Sequence, residues 1–111
     1  MRVHRELGPG LLERAYLECL DYELRQRGLQ VEREKPLSLR YRGRQMGVGY
    51  RIDLLVNGCV VVELKAVREL TPLHEAQLWS YLKLGSHKLG FLLNFNVRRM
   101  KDGIKRMVNG L

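Results

Sequence analysis

Apolar residues recur at helical spacing in the N-terminal part of the chain. From Leu11 to about Arg27 they share one face, at Leu12, Tyr16, Cys19, Leu20 and Leu24. Helix-breaking residues stand on either side of this segment, in Gly8-Pro9-Gly10 before it and at Gly28 after it. The pattern therefore predicts one amphipathic helix between these two breaks.

Alternation of apolar and polar residues replaces this spacing after Gly28. It predicts three strands, over Leu29 to Tyr41, Met46 to Val56 and Cys59 to Val67. Arg42-Gly43-Arg44 forms a polar turn between the first two strands, and Asn57-Gly58 is a strong hairpin signal between the second and the third. The run Val60-Val61-Val62 indicates a third strand that is buried on both faces, as a central strand is.

A second helix and a fourth strand are predicted in the last third of the chain. Thr71 supplies the N-cap and Pro72 the first residue of a helix that ends at Gly85. Lys88 to Phe95 has the composition of a strand. The basic tail that follows has the pattern of a short helix around Ile104 to Val108.

The order of these elements predicts the fold class. The first three strands form an antiparallel meander, and the fourth arrives through a helical crossover, so it lies parallel to one of them. The expected fold is α/β, a mixed β-sheet flanked by helices. With 111 residues, the chain is expected to form a single domain.

The net charge of the chain indicates which class of molecule suits it as a binding partner. Lys and Arg number 20 against 12 acidic residues, which gives a net charge of +8. Such a surface suits nucleic acid, because each neutralised phosphate releases counterions, although a solvated surface without a partner has the same composition. The residues expected to contact the nucleic-acid backbone are Arg40, Arg42, Arg44, Arg51, Arg98 and Arg99. Apolar runs too short for a bilayer and the absence of a signal-type stretch predict no membrane contact and a cytoplasmic location.

Three charged residues interrupt otherwise apolar strands. Asp53 lies in the second strand, and Glu63 and Lys65 lie on one face of the third. Neighbouring carboxylates repel each other unless a cation joins them, and carboxylate oxygens suit Mg²⁺. Lys65 could then position an attacking water and stabilise charge on a phosphate. The alternative is a surface Glu63–Lys65 pair with a solvated Asp53.

The length of the second hairpin loop decides between these alternatives. If Asn57-Gly58 were the whole loop, Asp53 would face Val62 and would point away from Glu63. A loop of three residues, or one bulge, brings both carboxylates to a common face. We therefore predict a three-residue loop or a bulge, with Gly58 in the left-handed conformation.

Three further polar residues lie where helices would present them to this site. Glu13 falls on the apolar arc of the first helix, either as a further metal ligand or as an acid favoured by the helix dipole. Gln77 and Tyr81 follow His74 along one stripe of the second helix. They either line a substrate cleft or form a partly exposed helix edge.

Five motifs resemble those of one group of nucleases. Gly10-Leu11-Leu12-Glu13-Arg14-Ala15-Tyr16 resembles the GxxExxY signature, and the preceding residues from Val3 also resemble that family. Asp53 with Glu63-Leu64-Lys65 resembles the D…ExK core of the PD-(D/E)XK nuclease superfamily, with Ile52 in place of its proline. Gln77-Leu78-Trp79-Ser80-Tyr81 resembles the QxxxY motif of its exonuclease-like branch. Asn94-Phe95-Asn96 and the segment from Lys101 to Arg106 resemble the family's C-terminal ending.

This resemblance implies a restriction-endonuclease-like fold and Mg²⁺- or Mn²⁺-dependent hydrolysis of nucleic acid, DNA in preference to RNA. Asp53 and Glu63 would bind the metal, Lys65 would be the catalytic lysine, and Glu13 an additional acid of the site. Gln77 and Tyr81 would position the substrate. The alternative is a catalytically inactive nucleic-acid-binding or protein-interaction module.

Relatives usually carry a further N-terminal helix, and its absence would leave an apolar face of the sheet open, through which two copies could form a homodimer.

Overall fold

The computed structural model describes residues 1–110, with the side chain of residue 48 outside the description. Five strands lie side by side in one sheet, in the order β1 (Val31–Tyr41), β2 (Arg44–Val56), β3 (Val60–Lys65), β4 (Leu89–Asn94) and β5 (Ile104–Val108). The helices are α1 (Arg2–Leu7), α2 (Glu13–Gln26) and α3 (Pro72–Gly85), and a 3₁₀ turn (Met100–Gly103) precedes β5. Within residues 1–110 no helix is long and apolar enough to cross a membrane.

The pairing of the strands confirms the predicted mixed sheet. β1, β2 and β3 form an antiparallel meander, and β4 pairs parallel to β3 after the crossover through α3. The side chain of Thr71 accepts the backbone N–H of His74, while the His74 ring accepts the N–H of Thr71, so the predicted start of this helix is also confirmed. Pro36 lies within β1, which as an edge strand tolerates a residue without an N–H donor.

The prediction for the tail is wrong. Ile104–Val108 form strand β5, antiparallel to β4, with Met107 opposite Gly90. A helix of five residues is marginal in water, whereas a strand there satisfies the backbone groups along the open edge of β4. At the other end of the chain, Arg2–Leu7 form a short helix that the pattern did not predict, with Val3 and His4 buried.

Two apolar cores cover the two faces of the sheet. On one face α1 and α2 contribute Val3, Tyr16, Leu17 and Leu20, and on the other α3 contributes Leu78, Tyr81 and Leu82. Leu12, predicted on the apolar face, is 80% exposed because α2 begins one residue later. The α2 side of the sheet also carries an apolar hollow of about 340 Å³ that includes Met1, Phe91 and Ile104. Self-association through this face stays a prediction.

The apolar alternation along β2 is interrupted at Asp53. Ile52 packs in the core on the α3 side, whereas Leu54 and Val56 pack in the core on the α2 side. The register of β1 places Glu34 across from Asp53, and Glu34 has a left-handed backbone with φ 50°. A non-glycine residue in this conformation is uncommon and marks an irregularity in the strand. The side of the sheet that the apolar residues of β2 face therefore changes at Asp53.

Gly103 gives a prediction for stability. A Cβ at this buried position would lie 2.1 Å from the backbone oxygen of Asn94. Gly103→Ala should therefore destabilise the protein by at least about 1–3 kcal/mol, through a forced shift of the chain between the 3₁₀ turn and β5. Thermal unfolding measures this loss, and Gly47→Ala is the control because its Cβ meets nothing within 4 Å. Equal melting temperatures for the two variants would contradict the prediction.

Candidate active site

The hairpin between β2 and β3 sets the register of the site. Val56 pairs with Val60, so Asn57, Gly58 and Cys59 form a three-residue loop, as predicted. Asn57 and Gly58 both have positive φ, 52° and 68°, a conformation that asparagine and glycine adopt more readily than other residues. The register continues from Leu54 opposite Val62 and places Asp53 across from Glu63.

Asp53 and Glu63 are joined through each other's strand. The backbone N–H of Asp53 donates to Oε1 of Glu63 at 2.9 Å, and the backbone N–H of Leu64 donates to Oδ2 of Asp53 at 2.9 Å. Each carboxylate thus accepts a backbone N–H of the other strand, just beyond the last paired residues, Leu54 and Val62. These bonds fix both side chains and leave the second oxygen of each carboxyl outside them.

Burial makes this carboxylate pair electrostatically unfavourable. Glu63 is only 4% exposed, and burial together with the charge of Asp53 raises its pKa to about 8. Burial also raises the pKa of Asp53, against the opposing effects of the Leu64 N–H and Lys65. Two buried carboxyls whose pKa values are both raised form a site where a cation would be favoured.

Lys65 and two residues of α3, Gln77 and Tyr81, complete the group around the two acids. Lys65 is half-buried, and its Nζ donates to Oε1 of Gln77 at 3.1 Å. Tyr81 lies one helical turn after Gln77 and is 7% exposed. Burial raises the pKa of Tyr81, and the charges of Glu63 and Asp53 raise it further. The structure thus places Asp53, Glu63, Lys65, Gln77 and Tyr81 in one neighbourhood.

Glu13 lies at the margin of this group. It is the first residue of α2 and is exposed, and its pKa is raised by partial desolvation and by the charge of Asp53. Tyr16 holds the loop that leads into α2, because the Tyr16 hydroxyl donates to the carbonyl of Gly8 and accepts the N–H of Leu11. Within residues 1–110, no three His, Cys, Asp or Glu side chains converge closely enough to form a metal-binding group. Glu13 is therefore within electrostatic reach of the two buried acids without forming a three-ligand set with them.

Asn94 is a site residue for which the sequence analysis gave no role. It is 1% exposed at the end of β4, opposite Lys65. Its Oδ1 accepts the N–H of Val67 at 3.1 Å and its Nδ2 donates to the carbonyl of Val67 at 3.0 Å. These two bonds hold the segment that leaves β3 directly after Lys65. No local pattern in the sequence indicates this role, because the contact joins positions that are 27 residues apart.

Glu34 is a second residue that the sequence analysis did not single out. Its carboxylate pairs with Arg14, and with Arg51 at 3.7 Å. Its negative charge also contributes to the raised pKa of Asp53. A shift in the β1–β2 pairing between Leu37 and Leu39 sets the register that places this acid across from Asp53, and the sequence carries no signal for that shift.

The arginines predicted to contact nucleic acid fall into two groups. Arg40, Arg42 and Arg44 are exposed at the tip of the β1–β2 hairpin, and Arg51 is exposed further along β2. Arg98 and Arg99 are exposed in the segment after β4, which leaves the sheet at the same edge as Lys65. His74 serves as the capping partner of Thr71 in α3.

The fold and this grouping define a restriction-endonuclease-like α/β domain with one acid on β2 and an acid and a lysine on the neighbouring strand β3. The sequence model of the PD-(D/E)XK nuclease superfamily matches residues 1–107, and the chain belongs to this superfamily. Members of the superfamily are generally nucleases, and they typically use divalent metals. No curated protein and no solved structure matches the chain.

Proposed function

We propose that the protein is a nuclease that hydrolyses phosphodiester bonds with the help of Mg²⁺ or Mn²⁺. One observation carries the proposal: Asp53 and Glu63 are fixed by each other's strand, beside Lys65, in a setting that raises the pKa of Glu63 to about 8. A purely structural role would not require two repelling acids at a buried position.

The donor set fits a hard divalent cation. Asp53 and Glu63 offer carboxylate oxygens, and Glu13 at the start of α2 is a further acid near them. A pair of carboxylates suits Mg²⁺ in particular, because this ion keeps several waters and shares oxygens with substrate phosphates. When bound, the cation would activate a water and stabilise negative charge on the phosphate.

Lys65 and the α3 residues supply the remaining functions. The ammonium of Lys65 orients the attacking water and offsets the charge that develops on the phosphate oxygens. Gln77 holds this ammonium through its Oε1 at 3.1 Å and so acts as a positioning residue. Tyr81 lies beside them and contributes a phenolic hydroxyl for contact with the substrate.

The substrate is nucleic acid, and we infer DNA in preference to RNA. The net charge of +8 favours a polyanion, and the exposed arginines of the hairpin and of the segment after β4 contact its backbone without reading sequence. Within the superfamily we assign the chain to the GxxExxY family, on Gly10, Glu13 and Tyr16. The hydrogen bonds of Tyr16 to the loop around Gly10 support this, because they position the start of α2. The proposed place of action is the cytoplasm.

The proposal is tested by incubating the protein with DNA and RNA, with Mg²⁺, with Mn²⁺ and with EDTA. We expect cleavage only with metal. Asp53→Asn should abolish cleavage and weaken Mn²⁺ binding, measured by calorimetry, because the amide removes a charged ligand. Asp102→Asn makes the same chemical change on the exposed 3₁₀ turn and should leave both unchanged.

The alternative function is an inactive nucleic-acid-binding or protein-interaction module. It predicts no cleavage of any substrate under any metal condition, together with salt-dependent nucleic-acid affinity that is indifferent to Mn²⁺. Cleavage by wild-type protein that persists in Asp53→Asn would also contradict the proposed site, since the activity would then come from elsewhere.

A further inference from the structure

A groove of about 800 Å³ opens next to the candidate site, between α3 and the β1–β2 hairpin. Among the residues that line it are Tyr50, Lys65, Leu73, Gln77, Tyr81 and Lys83. Lys65 and Gln77 thus belong both to the groove and to the proposed catalytic group. Whatever occupies the groove lies against the residues that would act on a phosphate.

The chemistry of the lining is apolar with a positive charge. Tyr50 is 38% exposed and Leu73 is 78% exposed, so a large apolar surface is left in water. Lys65 and Lys83 are the cations, and none of the described lining residues is acidic. An occupant that matches this lining has flat apolar faces and negative charge. Bases joined by phosphates have both properties.

Tyr50 has the placement of a stacking platform. Its ring packs against the buried ring of Tyr81, with centroids 5.9 Å apart and planes tilted by 55°. This contact supports one side of the Tyr50 ring while more than a third of the side chain stays accessible. In an intact duplex both faces of each base are covered by neighbouring base pairs, so only an unpaired base can stack on a protein ring.

We propose that the groove binds unpaired nucleotides next to the cleaved phosphate, with a base stacked on Tyr50, so that the substrate is single-stranded or frayed nucleic acid. This inference rests on the proposed function and specifies its substrate class. The volume lies within the ~300–1,000 Å³ that is usual for pockets that bury small ligands. The lysines on the groove wall contact the phosphates between the bases.

The test measures binding without cleavage, in EDTA, so that it stays informative even if the protein cuts nothing. Fluorescence anisotropy follows labelled poly-dT, poly-U and a blunt duplex of two separate strands, without a loop, of equal nucleotide number. Tyr50→Ala should weaken single-strand binding by about 5- to 150-fold, the effect of losing one stacked base, with duplex binding unchanged. Comparison of poly-dT with poly-U distinguishes DNA from RNA as the source of the strand.

Two controls keep the result specific. Tyr22→Ala removes a tyrosine that is 61% exposed on α2 and does not line the groove, so it should change no affinity. Tyr50→Trp should retain single-strand binding, because an aromatic face is kept. An equal loss for strand and duplex in Tyr50→Ala, or no loss, would overturn the proposal and would favour a protein segment as the occupant.

A spectroscopic readout tests the stacking directly. A single strand with 2-aminopurine should lose fluorescence when it binds the wild-type protein, because stacking on an aromatic ring quenches this base. The quenching should disappear in Tyr50→Ala at saturating protein. Bound 2-aminopurine of equal brightness in the two proteins would exclude a stacked base at Tyr50, whatever the affinities.

Discussion

Replacing Lys65 by alanine should lower the rate of phosphodiester cleavage by about 10²- to 10³-fold, the usual effect of removing one charge-stabilising donor. The ammonium lowers the pKa of both acids through its charge and is held by Gln77, so its removal takes a positive charge out of the site. Single-turnover cleavage with saturating metal measures the chemical step. Lys88→Ala is the matched control, because Lys88 is exposed just before β4, at the end of that strand away from the site.

A graded series makes this prediction sharper. Gln77→Ala leaves the ammonium present but unheld, so we expect a smaller loss of about 10-fold, typical of removing a supporting partner. Mn²⁺ affinity should stay close to that of the wild type in both variants, since neither side chain is a proposed ligand. A Lys65→Ala protein that cleaves as fast as Lys88→Ala would remove Lys65 from the mechanism.

The second large effect concerns how the free energy of unfolding changes with pH in the absence of metal. The pKa of Glu63 is about 8 in the folded protein and near 4.5 when exposed. Between these two values the folded state keeps a proton that the unfolded state has lost, so stability falls as the pH rises. Glu63 alone contributes at most roughly 5 kcal/mol to this fall, at about 1.4 kcal/mol per pH unit. Denaturant unfolding in EDTA at several pH values measures it.

Glu63→Gln isolates this contribution, because the other acids titrate in both proteins. We expect the variant to lose most of the decline between acid and alkaline pH. Mn²⁺ should stabilise the wild type more at the alkaline end, where metal and proton no longer compete for the carboxylates. A decline of equal slope in Glu63→Gln would assign the effect to other groups.

The sequence predicted those parts of the fold that depend on local conformation. Asn57-Gly58 specified a loop with left-handed residues, and a common face for Asp53 and Glu63 required either a third loop residue, which the structure has, or a bulge. Thr71 and Pro72 likewise specified the start of α3. In each case neighbouring residues determine the backbone, so the pattern along the chain was sufficient.

Parts that depend on distant contacts were not predictable in this way. The strand at Ile104–Val108 exists because β4 has an open edge, whereas its own residues gave only a weak helical pattern. Asn94 acts on Val67 across 27 positions of the chain. Glu34 comes near Asp53 through the register of β1, which shifts between Leu37 and Leu39. The roles of both residues follow from pairing that no local pattern encodes.

The two hydrogen bonds between carboxylates and backbone amides of β2 and β3 also tie the site to the opening motions of the sheet. The carboxyl groups of Asp53 and Glu63 protect the backbone amides of Leu64 and Asp53 from hydrogen exchange with solvent. When β3 separates from β2 at this point, the carboxyl groups are released and the two amides become exposed to solvent. Amide exchange at these two positions thus reports how often the acids leave their places.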